Sequence, residues 1–130
     1  MYRFEKLEVW KKAMNFCELV YQESKNFPRT EVYGLTSQIR RATTSIPLNI
    51  AEGSACRTKK EFIQFLTIAL RSQYEVVTIT ELCYRLNFLL KADSDLLQDK
   101  LAEIGRLLQG LINSLNDKVV ANNQKLKTNN

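Results

Sequence analysis

Apolar residues return at steps of three and four in four stretches of this chain, the spacing of one face of an α-helix. From Leu7 to Phe27, Val9, Trp10, Ala13, Phe16, Cys17, Val20 and Tyr21 share one side, while Lys11, Glu18, Gln22 and Lys25 share the other. Pro28 closes this stretch, because the residue before a proline is pushed out of the helical region. The second stretch, Glu31 to Ala55, carries Leu35, Ile39, Ala42, Ile46 and Ile50 on one stripe, and the phase continues across Pro47. Two independent helices would have no reason to stay in register. The pattern therefore predicts one long helix kinked at Pro47, whose ring lacks an N–H and crowds the Thr43 carbonyl. Thr43, Thr44 and Ser45 carry hydroxyls able to bond back to freed backbone groups.

The third stretch opens on Thr58-Lys59-Lys60-Glu61, an S/T-x-x-E capping box ahead of an apolar run to Phe88. One face holds Phe62, Leu66, Ala69, Val76, Val77 and Tyr84. A second apolar group, Phe65, Ile68, Ile79 and Leu86, projects about 100° away. The fourth stretch follows Asp93-Ser94-Asp95 with Leu97, Leu101, Ile104, Leu108, Leu111 and Leu115, a heptad seam suited to antiparallel packing. After Asp117 the ending is polar and rich in Asn and Lys. No alternating β-branched run bounded by hairpin turns signals a strand.

These elements predict an all-α protein, an antiparallel up-down four-helix bundle over residues 1–117, with 118–130 as a polar, flexible tail. The second apolar stripe of the third helix needs a cover. A second copy of the chain supplies one, which makes Phe65, Ile68, Ile79 and Leu86 candidate interface residues of a homo-oligomer. The alternative is a central third helix wrapped by the other three.

Composition narrows the chemistry. The chain has no histidine, removing the commonest general base and the commonest metal ligand. Cys17, Cys56 and Cys83 are odd in number and far apart, so they suggest neither a disulfide framework nor a zinc site and read as small buried apolar residues. No enzymatic activity, metal or cofactor is expected. No apolar run reaches membrane-spanning length and the N-terminus lacks a signal-peptide core, so a cytoplasmic location without membrane association is expected. The net charge is +5, and all of it lies in the first half: residues 1–60 hold 11 Lys and Arg against 6 acids, residues 61–130 hold 8 of each. Such asymmetry fits a nucleic-acid or acidic-protein partner, and equally a solvated surface.

FEKLEVWKKA, YGLTSQIRRA, SIPLNIAEG and KKEFIQFLTIALRS, spread over residues 4–90, together resemble the bacterial 23S ribosomal RNA intervening-sequence protein family. The resemblance implies a four-helix bundle assembling as a ring, a homopentamer, in a family encoded partly within insertions of large-subunit ribosomal RNA genes. A more distant similarity, to the accessory protein of diversity-generating retroelements, implies a basic pentameric barrel that works with a reverse transcriptase and binds nucleic acid. Fold and assembly follow from the resemblance more firmly than function.

Arg40 and Arg41 precede Pro47, Arg57, Lys59 and Lys60 follow the second helix, and Arg71 lies farther along the third. Lys59 and Lys60 occupy the first turn of a helix, where positive charge opposes the dipole. That placement suggests a use: binding phosphate beside exposed helix-start N–H groups, of RNA or DNA and without sequence preference. No helix-turn-helix, zinc finger or aromatic RNA-reading pattern is present. Glu52 has no histidine or second carboxylate in helical reach, so it reads as structural, a salt-bridge partner for Arg41 within or between chains. Gly53 either admits a neighbouring helix closely or ends its own. The two readings left are an oligomeric RNA-associated protein acting through basic contacts, and a ring-forming protein-interaction module.

Overall fold

The periodic stretches fold into α1 (Glu8–Ser24), α2 (Leu35–Ser54), α3 (Lys59–Arg85) and α4 (Lys91–Thr128), with short 3-10 helices at Arg3–Lys6 and Arg29–Glu31. The computed structural model describes residues 1–128, and no strand occurs among them. α1 packs on α2 and α4, and α3 packs on the same two helices from the other side. The pairs run antiparallel. Ser45 of α2 meets Ser72 of α3 at 2.9 Å, while Gly53, two turns later in α2, meets Phe65 and Phe62, earlier in α3.

The predicted stripes form one core. Val9, Ala13, Phe16 and Val20 of α1, Ile39, Ala42, Ile46 and Ile50 of α2, and Leu97, Leu101, Ile104 and Leu108 of α4 are all buried. Each large apolar side chain placed there contributes about 1.5–3 kcal/mol. Toward the end of the α4 seam Ile112 is buried and Leu111 only half-buried.

α2 is a single helix with Pro47 inside it, as the unbroken phase requires. The carbonyl of Thr43, deprived of a partner by Pro47, accepts from the Cys17 thiol of α1 at 3.6 Å. Burial pushes the Cys17 thiol up to about 11, so it stays protonated and able to donate. The Thr44 hydroxyl bonds back to the Arg40 and Arg41 carbonyls at 2.9 and 3.1 Å. The Thr43 hydroxyl, expected to do the same, is buried with no partner.

α3 ends in a Schellman turn. Asn87 has φ 65°, Phe88 N–H donates to the Cys83 carbonyl at 2.8 Å, and Asn87 N–H donates to Tyr84 at 3.0 Å. Phe88 then meets Phe27 with ring centroids 6.0 Å apart, tying the α3–α4 turn to the α1–α2 connection. α4 begins at Lys91, ahead of the expected Asp93 start, and does not stop at Asp117. It stays helical to Thr128, although none of residues 116–127 is buried. Lys125 and Lys127 in the last turn complement its dipole. Asn129 and Asn130 of the expected tail lie outside the described residues.

α1 and α4 are joined at the surface by Lys12 and Glu103, 2.6 Å apart. The hydrogen bond to Lys12 holds the Glu103 carboxyl below its usual range, and Glu103 raises the Lys12 ammonium. A carboxyl lowered on folding contributes above its unfolded range, and the contribution is lost as pH falls through the lowered value. Glu103→Gln is therefore expected to reduce stability at neutral pH, with the urea midpoints of variant and parent converging on acidification. A Cβ at Gly53 would lie 2.7 Å from Phe65 Cβ and 2.8 Å from Phe62 Cδ1. Gly53→Ala is expected to cost about 1–3 kcal/mol through overpacking, outweighing the roughly 1 kcal/mol gained in helix propensity. Urea unfolding measures it.

Candidate nucleic-acid interface

Only Ala55 to Thr58 separate α2 from α3, so the cations of this turn are held between two packed helices. Thr58 caps α3, its hydroxyl accepting from Glu61 N–H at 3.1 Å. Partial desolvation and then the Glu61 and Glu52 carboxylates raise the Cys56 thiol. Arg57, Lys59 and Lys60 are exposed. With Thr58 they line an open depression of about 360 Å³, bordered on the other side by Val119, Asn122 and Asn123 of α4. No carboxylate lines it. Charged donors, neutral amides and a helix start in one concave site suit a phosphate group.

The α4 side of this pocket escapes the sequence reading, which treats 118–130 as a flexible tail. The available signal is the continuation of the α4 stripe from Leu115 to Val119. From Lys118 to Thr128 the chain also carries Lys118, Lys125 and Lys127 and no acid.

The other candidates are not brought to this pocket. Arg40 lies fourteen residues before the end of α2, about 21 Å along the axis at 1.5 Å per residue. Its Nε donates to Ser24 Oγ at 2.8 Å, its Nη2 reaches the Tyr21 carbonyl at 3.5 Å, and its guanidinium stacks 4.6 Å from the centre of the Tyr21 ring. Arg41 is exposed and donates to Ser37 Oγ at 3.3 Å. The expected Arg41–Glu52 salt bridge is not among the ion pairs of the described residues, since eleven helical positions separate the two. Arg71 is exposed midway along α3.

The candidate interface residues divide. Ile79 is 4% exposed and belongs to the chain's own core. Phe65 is half-buried against Gly53. So the expected stripe is covered only in part: α2 packs on Phe65 at Gly53, and Ile79 lies in the chain's own core. Ile68 and Leu86 remain exposed. Among the described residues, no three of Cys, Asp and Glu gather as a metal site would require, and no helix is long and apolar enough to cross a membrane.

The two arginines predict opposite outcomes. Arg40→Ala is expected to lower stability by about 1–2 kcal/mol, losing a charge-assisted hydrogen bond and a cation–π contact, whereas Arg41→Ala stays within about 0.5 kcal/mol. Chemical denaturation of both variants checks it.

The family model described as 23S rRNA-intervening sequence protein matches residues 5–110, which covers all four helices except the last part of α4. The chain is similar to a crystal structure, at 1.70 Å resolution, of a protein with unknown function from the S23 ribosomal protein family of Bacteroides thetaiotaomicron VPI-5482. The two share 26% identity and a TM-score of 0.76 over 81% of this chain and 95% of that one. No curated protein matches. With most of its length matched and its fold shared, the chain belongs to the 23S rRNA-intervening sequence protein family.

Proposed function

We propose that this protein is a non-enzymatic RNA-binding protein that holds phosphate groups at the α2–α3 end of its bundle. The observation that carries the reading is the carboxylate-free pocket where Arg57, Lys59 and Lys60 face Asn122 and Asn123. Membership of a family described by its link to 23S rRNA supports RNA as the partner. Contacts of this kind depend on charge and shape, so affinity falls with salt and varies little with sequence. In the combined variant Arg57→Gln, Lys59→Gln and Lys60→Gln, affinity for a structured RNA is expected to drop. The salt slope should shrink by about 0.7–0.9 for each phosphate contact removed. An unchanged affinity and slope in a normally folded variant would overturn the reading. Copurifying nucleic acid, seen as a high 260/280 nm absorbance ratio that falls after a high-salt wash, checks it independently.

A second reading, a surface for protein contact and self-assembly, is favoured by a separate feature. Phe4, Trp10, Met14, Pro47 and Leu48 line an apolar groove of about 500 Å³ between α1 and α2, with Leu48 58% exposed. We propose that copies of the chain meet there in a ring-like homo-oligomer, and that the bend expected at Pro47 belongs to that curved contact. Light scattering at micromolar concentration is expected to give a multiple of the 15.1 kDa chain mass. A monomer mass would remove the assembly.

A further inference from the structure

The end of the bundle opposite Arg57, Lys59 and Lys60 carries its own basic cleft. About 320 Å³ in volume, it lies between the end of α1, the connection through Arg29 and the first two turns of α2. Lys25, Arg29 and Arg40 line it, and no carboxylate does. Arg40 is fixed at its edge by Ser24, Tyr21 and the Tyr21 ring, an ordering already met before any ligand arrives. Lys25 and Arg29 take part in none of the ion pairs among the described residues.

Thr36 marks the cleft as more than a charged surface. It is 6% exposed, lines the cleft and makes no hydrogen bond among the described residues. Four other helical threonines of this chain satisfy their hydroxyls on the carbonyl four residues back: Thr44 on Arg40, Thr67 on Ile63, Thr78 on Tyr74 and Thr80 on Val76. Thr36, in the first turn of α2, has no helical carbonyl four residues back, and its hydroxyl, not among the fully buried unpartnered atoms, is left to the cleft. At that turn the Glu31 carboxylate, from outside the helix, accepts the Leu35 N–H at 3.4 Å, and no acidic residue lies within the turn itself.

We propose that this cleft binds a phosphate group, with Lys25, Arg29 and Arg40 neutralising its charge and the Thr36 hydroxyl donating to one of its oxygens. The volume suits one phosphate with a nucleoside-sized attachment, at the low end of small-molecule sites. The shared chemistry is a terminal phosphate, carried by a small molecule or by a strand end. The site is distinct from the α2–α3 pocket and does not depend on it.

Titration of the ¹⁵N-labelled protein with inorganic phosphate at low ionic strength, with chloride as control, tests the proposal. Saturable shifts specific to phosphate are expected at the Thr36 and Ser37 amides. Lys25→Gln and Arg29→Gln are each expected to weaken binding about tenfold, the scale of one charge-assisted hydrogen bond. Thr36→Val, which preserves shape and removes no internal hydrogen bond, should weaken it severalfold while leaving the unfolding midpoint unchanged or raised. Lys59→Gln with Lys60→Gln should leave it intact, which separates this site from the proposed RNA contact. If phosphate binds, a nucleoside monophosphate exceeding inorganic phosphate assigns a small-molecule source. A 5′-phosphorylated oligoribonucleotide exceeding both that monophosphate and its own 5′-hydroxyl form assigns a strand end. Shifts equal in chloride, or unaffected by Lys25→Gln, Arg29→Gln and Thr36→Val alike, would overturn the proposal.

Discussion

With only hydrogen on its Cα, Gly53 lets the Cβ of Phe65, the ring of Phe62 and the Phe62 carbonyl come within 2.7–3.3 Å of where a methyl would sit. That approach brings the end of α2 directly against the start of α3. The connection between them is consequently four residues long, and Arg57, Lys59 and Lys60 protrude from a turn pinned on both sides. The same contact covers Phe65 of the second apolar stripe of α3 in part. A single close-packing point therefore sets both the layout of the bundle and the place where its cations gather.

α2 meets a second demand at Pro47. A proline in a helix interior leaves one carbonyl without its donor, and in a buried position that carbonyl needs another partner. The Cys17 thiol supplies it from α1, kept protonated by its own burial. Cys17 is half-buried beside the apolar groove that Pro47 and Leu48 help to line. The helix that carries the proline is thus stitched to α1 at the height of the proline, next to the apolar groove between α1 and α2.

The four helices were legible because their stripes are long and in phase, and because Thr58 gives an unambiguous start. The unbroken register from Leu35 to Ile50 carried the single helix through Pro47. A helical projection, however, shows which side of a helix is apolar and not what covers it, so Phe65 and Ile79 read as an outer surface although α2 packs on Phe65 and Ile79 lies in the core. Charge proved legible in amount and not in grouping. Arg40 and Arg57 lie close in sequence and at opposite ends of α2, while Lys59 and Asn122, far apart in sequence, share a pocket because α3 and α4 run antiparallel. Helix continuation past the core, from Asp117 to Thr128, has no apolar stripe deep enough to predict it; Val119 alone extends the seam.

The bundle presents its cations at two ends, with different supports. At the α2–α3 end they are exposed, numerous and joined by amides, a surface suited to a polymer's repeated phosphates. At the α1–α2 end Arg40 is immobilised and Thr36 is nearly buried, a geometry suited to one group. The most direct measurement of the central claim is site mapping of RNA contact by amide shifts of the labelled protein in a titration with a structured RNA at two salt concentrations. The account predicts shifts centred on Thr58–Glu61 and Val119–Asn123 that shrink as salt rises. Shifts absent from both segments, or centred on the outer face of α3 around Arg71, would contradict it.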